Sequence, residues 1–186
     1  THPVTGDLYS SVLKPIGGTF TGKTVDAFRA EVKDVTIEPA SDDEVAHTIA
    51  VMGGEDWEMW IDTLASQNLL APGFKTVAYS YLGPEITHAI YKDGTIGRAK
   101  EHLKATADKL NARLASINGS AVVSVDKAVV TQASAAIPVV PLYIAILFKL
   151  MKENGTHEGC IEQMVRLFKD YLYSANEPAR DSEGFI

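Results

Sequence analysis

The chain has 186 residues, of which 46% are hydrophobic and 22% charged, and its formal net charge is −7 at pH 7. This composition is that of an ordinary globular protein, and the acidic balance excludes a general affinity for nucleic acid. Cys160 is the only cysteine, so an internal disulfide is excluded and an oxidising compartment is not indicated.

Residues 1–40 are predicted to be β-structure. The segments 19–28 and 31–38 alternate apolar and polar side chains, and glycine and proline residues punctuate them. Because the apolar residues of the second segment depart from a strict period of two, we expect a twisted hairpin that contains a bulge.

The stretch Ser41-Asp42-Asp43-Glu44 has the form of a capping box, in which Ser41 accepts a hydrogen bond from the backbone of Glu44 and Glu44 returns one. The helical spacing of apolar residues then predicts a helix over 45–52. After Gly53-Gly54, a second helix is predicted over 55–70, before a Pro-Gly pair.

Two short buried strands are predicted in the middle of the chain, over 76–81 and 121–125, and residues 129–132 are expected to extend the second. A long helix is predicted between them, from an N-cap at Thr95 to about residue 117. Buried strands joined by a helix are typical of a parallel sheet that helices cover. The fold class predicted from this order is α/β.

Two further helices are predicted over 139–153 and 158–173. The run 133–150 is the most apolar of the chain, but two prolines interrupt it, so we interpret it as a buried helix and a loop and expect no membrane span. No signal peptide is visible, which favours a cytoplasmic protein. The first residue is Thr1 and the end is abrupt, so we also expect a fragment of a longer protein.

The stretch Gly17-Gly18-Thr19-Phe20-Thr21-Gly22-Lys23-Thr24 satisfies the P-loop pattern, in which backbone N–H groups and a lysine bind phosphates. A P-loop needs a buried strand before it and a helix directly after it. Here a proline breaks the preceding segment, and the following segment has more strand than helix character. A glycine-rich hairpin turn is the favoured interpretation, and a phosphate-binding or non-catalytic binding module stays open as the alternative.

Tyr91 and Lys100 are nine positions apart, close to the end of the first buried strand. A lysine ammonium beside a phenol lowers the phenol pKa, and such a phenol can donate a proton to a substrate oxygen. In one continuous helix the two side chains would point to opposite faces, so they converge only if the helix is broken between them. Asp93-Gly94 is the expected break.

A metal site is not predicted, because His157 and Cys160 stand three positions apart without further ligands nearby. Glu55, Asp56 and Glu58 are interpreted as a charged helix face and not as paired catalytic carboxylates.

The sequence resembles the FabV-type enoyl-acyl-carrier-protein reductases and the related trans-2-enoyl-CoA reductases. The resemblance rests on the tyrosine, eight residues and lysine of Tyr91 and Lys100, and on stretches at residues 11–17, 50–60, 75–111, 130–134 and 155–163. It implies NADH-dependent reduction of the 2,3 double bond of a trans-2-enoyl thioester, carried by coenzyme A or by acyl-carrier protein, in fatty acid synthesis.

The resemblance also implies roles for individual residues. Tyr91 would be the proton donor, and Tyr81 would lie against the thioester carbonyl of the substrate. The cofactor-binding residues it implies are Lys100, Val129, Val130 and Thr131.

The fold implied is a partial, enlarged short-chain-dehydrogenase type, with a Rossmann-like parallel sheet, an added β-hairpin and a helical substrate cover. Residues 1–40 would form the hairpin region near the substrate pocket, and residues 41–186 the later half of the catalytic domain. No glycine-rich dinucleotide loop occurs in the sequence. The N-terminal dinucleotide-binding half is therefore expected to be missing, and the chain alone is expected to be inactive. The resemblance also implies a monomer.

Overall fold

The computed structural model describes residues 1–26, 29–129, 131, 137–176 and 178–186. Its strands and helices in chain order are β1 (Phe20–Asp26), β2 (Glu31–Ile37), α1 (Asp42–Met52), α2 (Glu55–Ser66), β3 (Lys75–Ser80), α3 (Thr95–Leu114), β4 (Ser120–Val125), α4 (Val140–Glu153) and α5 (Cys160–Arg166). Short 3-10 turns lie at Glu85–Thr87 and Ala115–Ile117, and a π-helical turn follows α5 at Leu167–Leu172.

The N-terminal hairpin is regular. β1 and β2 pair antiparallel from Phe20 opposite Ile37 to Asp26 opposite Glu31, without a break in register. The bulge predicted from the sequence is therefore wrong for these paired residues. Val32 is 56% exposed, so the hairpin does not need a bulge to return its apolar residues to one buried face.

β3, α3 and β4 form a parallel strand–helix–strand unit, as the sequence predicted. β3 pairs with β4 from Lys75 opposite Ser120 to Ser80 opposite Val125. The α/β class is confirmed. Ile186 lies along the other edge of β4, where it exchanges backbone hydrogen bonds with Val123 and Val125.

The strand pair is covered on both faces. Ala121 packs with Leu110 and Leu114 of α3 in one core cluster, whereas its neighbour Val122 packs with Leu167 in another. Successive strand residues point to opposite faces, so both sides of β4 are buried. Asn111 joins α3 to this strand, because its side chain accepts a bond from the Ala121 N–H and donates one to the Ala121 carbonyl.

The structure tests the predicted start of α1 and the predicted end of α2. The capping box is confirmed: Ser41 Oγ accepts from the Glu44 N–H at 3.2 Å, and Glu44 Oε2 accepts from the Ser41 N–H at 2.9 Å. α2 ends at Ser66, four residues earlier than predicted, because Asn68 takes a left-handed conformation with φ 55° that helices commonly end on.

Thr95 is not the N-cap of α3; Gly94 occupies that position and Thr95 is the first helical residue. The buried Thr95 hydroxyl instead donates to the Val12 carbonyl at 2.5 Å and accepts from the Lys14 N–H at 3.3 Å. A tertiary contact therefore takes the hydroxyl that the sequence suggested for local capping. It holds the N-terminal segment against the start of α3.

The region after β4 differs from the prediction. Residues 129 and 131 are not in a strand, and Val130 and Gln132 lie outside the described residues. α4 begins at Val140, directly after Val139, whose φ is 68°. None of the described helices has the length and hydropathy needed to cross a membrane. Within the same residues, no group of three or more His, Cys, Asp and Glu side chains could hold a metal ion.

Candidate active site

Tyr81, Tyr91 and Lys100 converge beyond the carboxyl end of β3. Tyr81 directly follows β3, Tyr91 lies in the turns before α3, and Lys100 lies in the second turn of α3. The Tyr81 and Tyr91 rings are 5.6 Å apart between centroids at 75°, and Lys100 Nζ lies 5.1 Å from the centre of the Tyr91 ring. These are favourable edge-to-face and cation–π geometries.

The predicted break between Tyr91 and Lys100 is confirmed, because α3 begins only at Thr95. Gly97 allows the sharp entry into the helix. A Cβ at this position would collide with the Lys92 carbonyl and would lie 3.0 Å from the Tyr91 carbonyl oxygen. The backbone that carries Tyr91 can therefore pack directly against the first turn of α3.

Lys100 holds the end of β3 in place. Its Nζ donates to Ser80 Oγ at 2.9 Å and also donates to the Tyr81 carbonyl. The ammonium is thus tied to the strand end and not to the Tyr91 hydroxyl.

Burial sets the protonation of this group of side chains. It raises the pKa of both phenols; for Tyr81, the hydrogen bond to Tyr143 raises the pKa further. Burial lowers the pKa of Lys100 to about 8. The expectation that Lys100 lowers the pKa of Tyr91 is wrong, because the ammonium lies over the ring and the loss of hydration dominates. Near neutral pH both phenols are therefore protonated.

The sequence analysis did not identify Tyr143, which lies in α4. The Tyr81 hydroxyl donates to the Tyr143 hydroxyl at 3.3 Å. The available signal was one phenol in the otherwise apolar run 139–148, since a buried tyrosine hydroxyl usually has a hydrogen-bond partner.

Tyr81, Tyr91 and Lys100 form one wall of a cavity of about 420 Å³. Its apolar lining consists of Leu13, Met52, Ile96, Leu103, Ala128, Val129, Ile137, Val140 and Ile144. Val129 lies in this lining, Val130 is outside the described residues, and Thr131 is exposed and not part of the lining. The space suits a small, mostly apolar ligand with a few polar atoms.

Asp126 is another polar lining residue that the sequence analysis did not identify. It follows β4, its backbone N–H donates to the Ser80 carbonyl at 2.9 Å, and its carboxylate accepts from Ser124 Oγ at 2.8 Å. Burial raises the pKa of this carboxyl group.

The P-loop-like stretch does not form a phosphate site. Lys23 lies in β1, where its ammonium pairs with Asp34 across the hairpin at 3.2 Å in an exposed position. Strand β1, and not a helix, contains Lys23 and Thr24, so no helix N-terminus faces the glycines. Gly22 has a packing role, because a Cβ there would lie 2.9 Å from the Phe20 ring and 3.0 Å from Val139.

A family model described as the trans-2-enoyl-CoA reductase catalytic region matches residues 1–173. The chain is 59% identical over 186 residues to an enoyl-[acyl-carrier-protein] reductase [NADH] of Flavobacterium johnsoniae, covering 100% of this chain and 47% of that protein. A trans-2-enoyl-CoA reductase [NADH] of Ruminiclostridium cellulolyticum is equally similar, with 59% identity over 186 residues and the same two coverages.

The fold also matches a solved structure. The crystal structure of Treponema denticola trans-2-enoyl-CoA reductase in complex with NAD aligns with a TM-score of 0.93 and 56% identity, covering 98% of this chain and 45% of that one. The chain spans about half the length of the curated relatives it matches.

Proposed function

This chain belongs to the trans-2-enoyl-CoA reductase catalytic-region family, and we propose that it forms the later half of an NADH-dependent enoyl-thioester reductase of fatty acid synthesis. The observation that carries the proposal is the convergence of Tyr81, Tyr91 and Lys100 on one wall of an apolar cavity. The substrate is a trans-2-enoyl group on coenzyme A or on acyl-carrier protein.

The chemistry of the cavity suits this substrate and cofactor. Lys100 has three N–H donors, of which Ser80 and the Tyr81 carbonyl take two, and we assign the third to a ribose hydroxyl of NADH. Val129 supplies an apolar surface for the nicotinamide ring. The assignment of Val130 and Thr131 to the cofactor rests on the family resemblance alone.

NADH, when bound there, supplies the hydride that adds to the β-carbon of the enoyl thioester. Negative charge then develops on the thioester oxygen, where the protonated hydroxyls of Tyr81 and Tyr91 can donate hydrogen bonds. Tyr91 is the proton donor, and protonation of the α-carbon completes the saturated acyl product. The buried, protonated state of both phenols supports these roles.

We assign residues 1–40 to the pocket-side hairpin region and residues 41–186 to the later half of a Rossmann-like domain with substrate-binding helices. Two contacts support the assignment of residues 1–40 to the pocket side. Leu13 lines the cavity, and Val139 at the start of α4 packs on Gly22 of β1. A dinucleotide-binding half would come from sequence that the longer relatives have. The monomeric state stays a prediction from the family resemblance, and the cytoplasmic location stays a prediction from the sequence.

The test is crotonyl-CoA-dependent oxidation of NADH by the complete gene product that contains this sequence. Tyr91→Phe should lower kcat about 100-fold or more, which is the usual effect of losing a general acid. Its circular dichroism spectrum should not change. Tyr173→Phe is the matched control, because it removes a phenol that is 68% exposed and does not belong to the cavity lining.

Two results would contradict the proposal in different ways. Full activity of Tyr91→Phe would exclude Tyr91 as the proton donor while leaving the reductase function intact. No turnover by the wild type, with NADH binding verified and both crotonyl-CoA and crotonyl-acyl-carrier protein tried, would exclude enoyl-thioester reduction.

A further inference from the structure

The hydroxyl of Tyr143 touches the active-site tyrosine that would meet the substrate oxygen. Tyr143 lies in the first turn of α4, next to Val140 and Ile144, and these two side chains pack with Ala128 in a core cluster that also includes Tyr81. The position of Tyr143 is therefore fixed by the packing of α4 on the cavity wall. It is not a surface side chain that meets Tyr81 by chance.

Contacts of its backbone and of its ring restrain Tyr81. Its backbone carbonyl accepts a hydrogen bond from Lys100, so the chain at this position is held. Its ring lies edge-to-face with the ring of Tyr91. The Tyr81 hydroxyl donates a hydrogen bond to Tyr143, so the position of Tyr143 sets the direction of the hydroxyl proton.

Each phenol carries one proton, and this limits how the pair can act. With Tyr81 donating to Tyr143, the Tyr81 proton points away from any third group. If Tyr81 donates to a substrate oxygen, its present bond to Tyr143 is broken, and the two hydroxyls stay bonded only if Tyr143 then donates to Tyr81. The O–O distance of 3.3 Å is longer than the usual value of about 2.7 Å, so the contact can tighten when this happens.

We propose that Tyr143 is a positioning residue, which orients the Tyr81 hydroxyl and donates a hydrogen bond to it when Tyr81 donates to the thioester oxygen. This rests on the proposed enoyl-thioester reductase function. A phenol that accepts a hydrogen bond becomes a better donor, because neighbouring hydrogen bonds polarise one another. The gain is largest when the substrate oxygen carries negative charge, so it appears in kcat more than in KM.

The first experiment is a double-mutant cycle in the complete gene product, with crotonyl-CoA and NADH as substrates. Tyr143→Phe should lower kcat about 2- to 10-fold, which is the effect of one neutral hydrogen bond, and should leave KM for crotonyl-CoA nearly unchanged. In a Tyr81→Phe background the same change should have no further effect, because the partner is already absent. Tyr173→Phe should change neither constant.

The double-mutant cycle distinguishes a positioning role of the Tyr143 hydroxyl from an effect on the packing of α4. If Tyr143→Phe lowers kcat by the same factor in both backgrounds, Tyr143 acts through the packing of α4 and the proposal is wrong. An unchanged kcat in the single variant overturns it as well.

A second measurement does not depend on activity. With tyrosine labelled by ¹³C at Cζ, the NMR resonance of Tyr81 should shift in Tyr143→Phe and stay in place in Tyr173→Phe. An unshifted Tyr81 resonance would refute the hydrogen bond itself. If the wild type proves inactive toward enoyl thioesters while the shift is present, the proposed function fails and the orienting contact is retained.

Discussion

The buried ammonium of Lys100 should give the protein a pH dependence of stability that can be measured without substrate. Burial lowers the pKa of this group from 10.5 to about 8 in the folded protein. Between these two values the unfolded chain keeps the proton that the folded protein has lost. Stability should therefore rise as the pH increases from about 8 towards 10, and it should be constant below 8 where both states are protonated.

The size of the effect follows from the two pKa values. They correspond to on the order of 3 kcal/mol, and since the side chain is only partly buried, solvent screening should reduce this to about 1–3 kcal/mol. The phenols of Tyr81 and Tyr91 act in the opposite direction above pH 10, because burial keeps them protonated after unfolded tyrosines have ionised. The rise should therefore be confined to the interval from about pH 8 to 10.

The assay is urea denaturation of the complete gene product at about pH 7, 8, 9 and 10, for the wild type and for Lys100→Met. The free energy of unfolding of the variant should not rise over this interval, because methionine has no ionisable proton. Lys23→Met is the control, since Lys23 is exposed on the hairpin and its removal should leave the slope unchanged. If wild type and Lys100→Met gave equal slopes, the ammonium would not be desolvated as described.

Three further predictions concern other parts of the chain. Gly22→Ala should lower the free energy of unfolding by about 1–3 kcal/mol, because its Cβ would lie 2.9 Å from the Phe20 ring, whereas Gly18→Ala, which has open space around it, should have little effect; urea denaturation of both compares them. Thr95→Val should lower the same quantity by about 1–3 kcal/mol, because two partly buried backbone groups lose the Thr95 hydroxyl as a partner, and a normal denaturation midpoint would contradict this. Lys23→Ala should leave NADH oxidation with crotonyl-CoA within about twofold, because an exposed ion pair contributes little; complete loss of activity would instead favour the phosphate-binding alternative.

Sequence reasoning succeeded where the signal and its effect lie close together in the chain. The capping box at Ser41 depends on a residue three positions away, and it forms as predicted. Thr95 carried an equally plausible local signal, but its hydroxyl binds Lys14 and Val12, which are 81 and 83 residues away. A hydroxyl can serve either role, and only packing decides between them.

The hairpin shows the same limit in another form. The imperfect alternation of β2 suggested a bulge, since a strand with one buried face must keep its register. The structure leaves most of β2 exposed, so the irregular pattern has no such consequence. Exposure of a strand is a property of its neighbours and not of its own residues.

By itself, the sequence determined the parallel strand–helix–strand unit and the meeting of Tyr91 with Lys100, because both follow from local periodicity and from the chain break at Asp93-Gly94. The tertiary structure alone decided the protonation of these groups and the partner of Tyr81. Tyr143 is 62 residues from Tyr81 in the chain, and the packing of α4 against the end of β3 brings the two hydroxyls together. Burial in the folded chain removes water from the phenols and the ammonium, and this loss of hydration sets the direction of their pKa shifts.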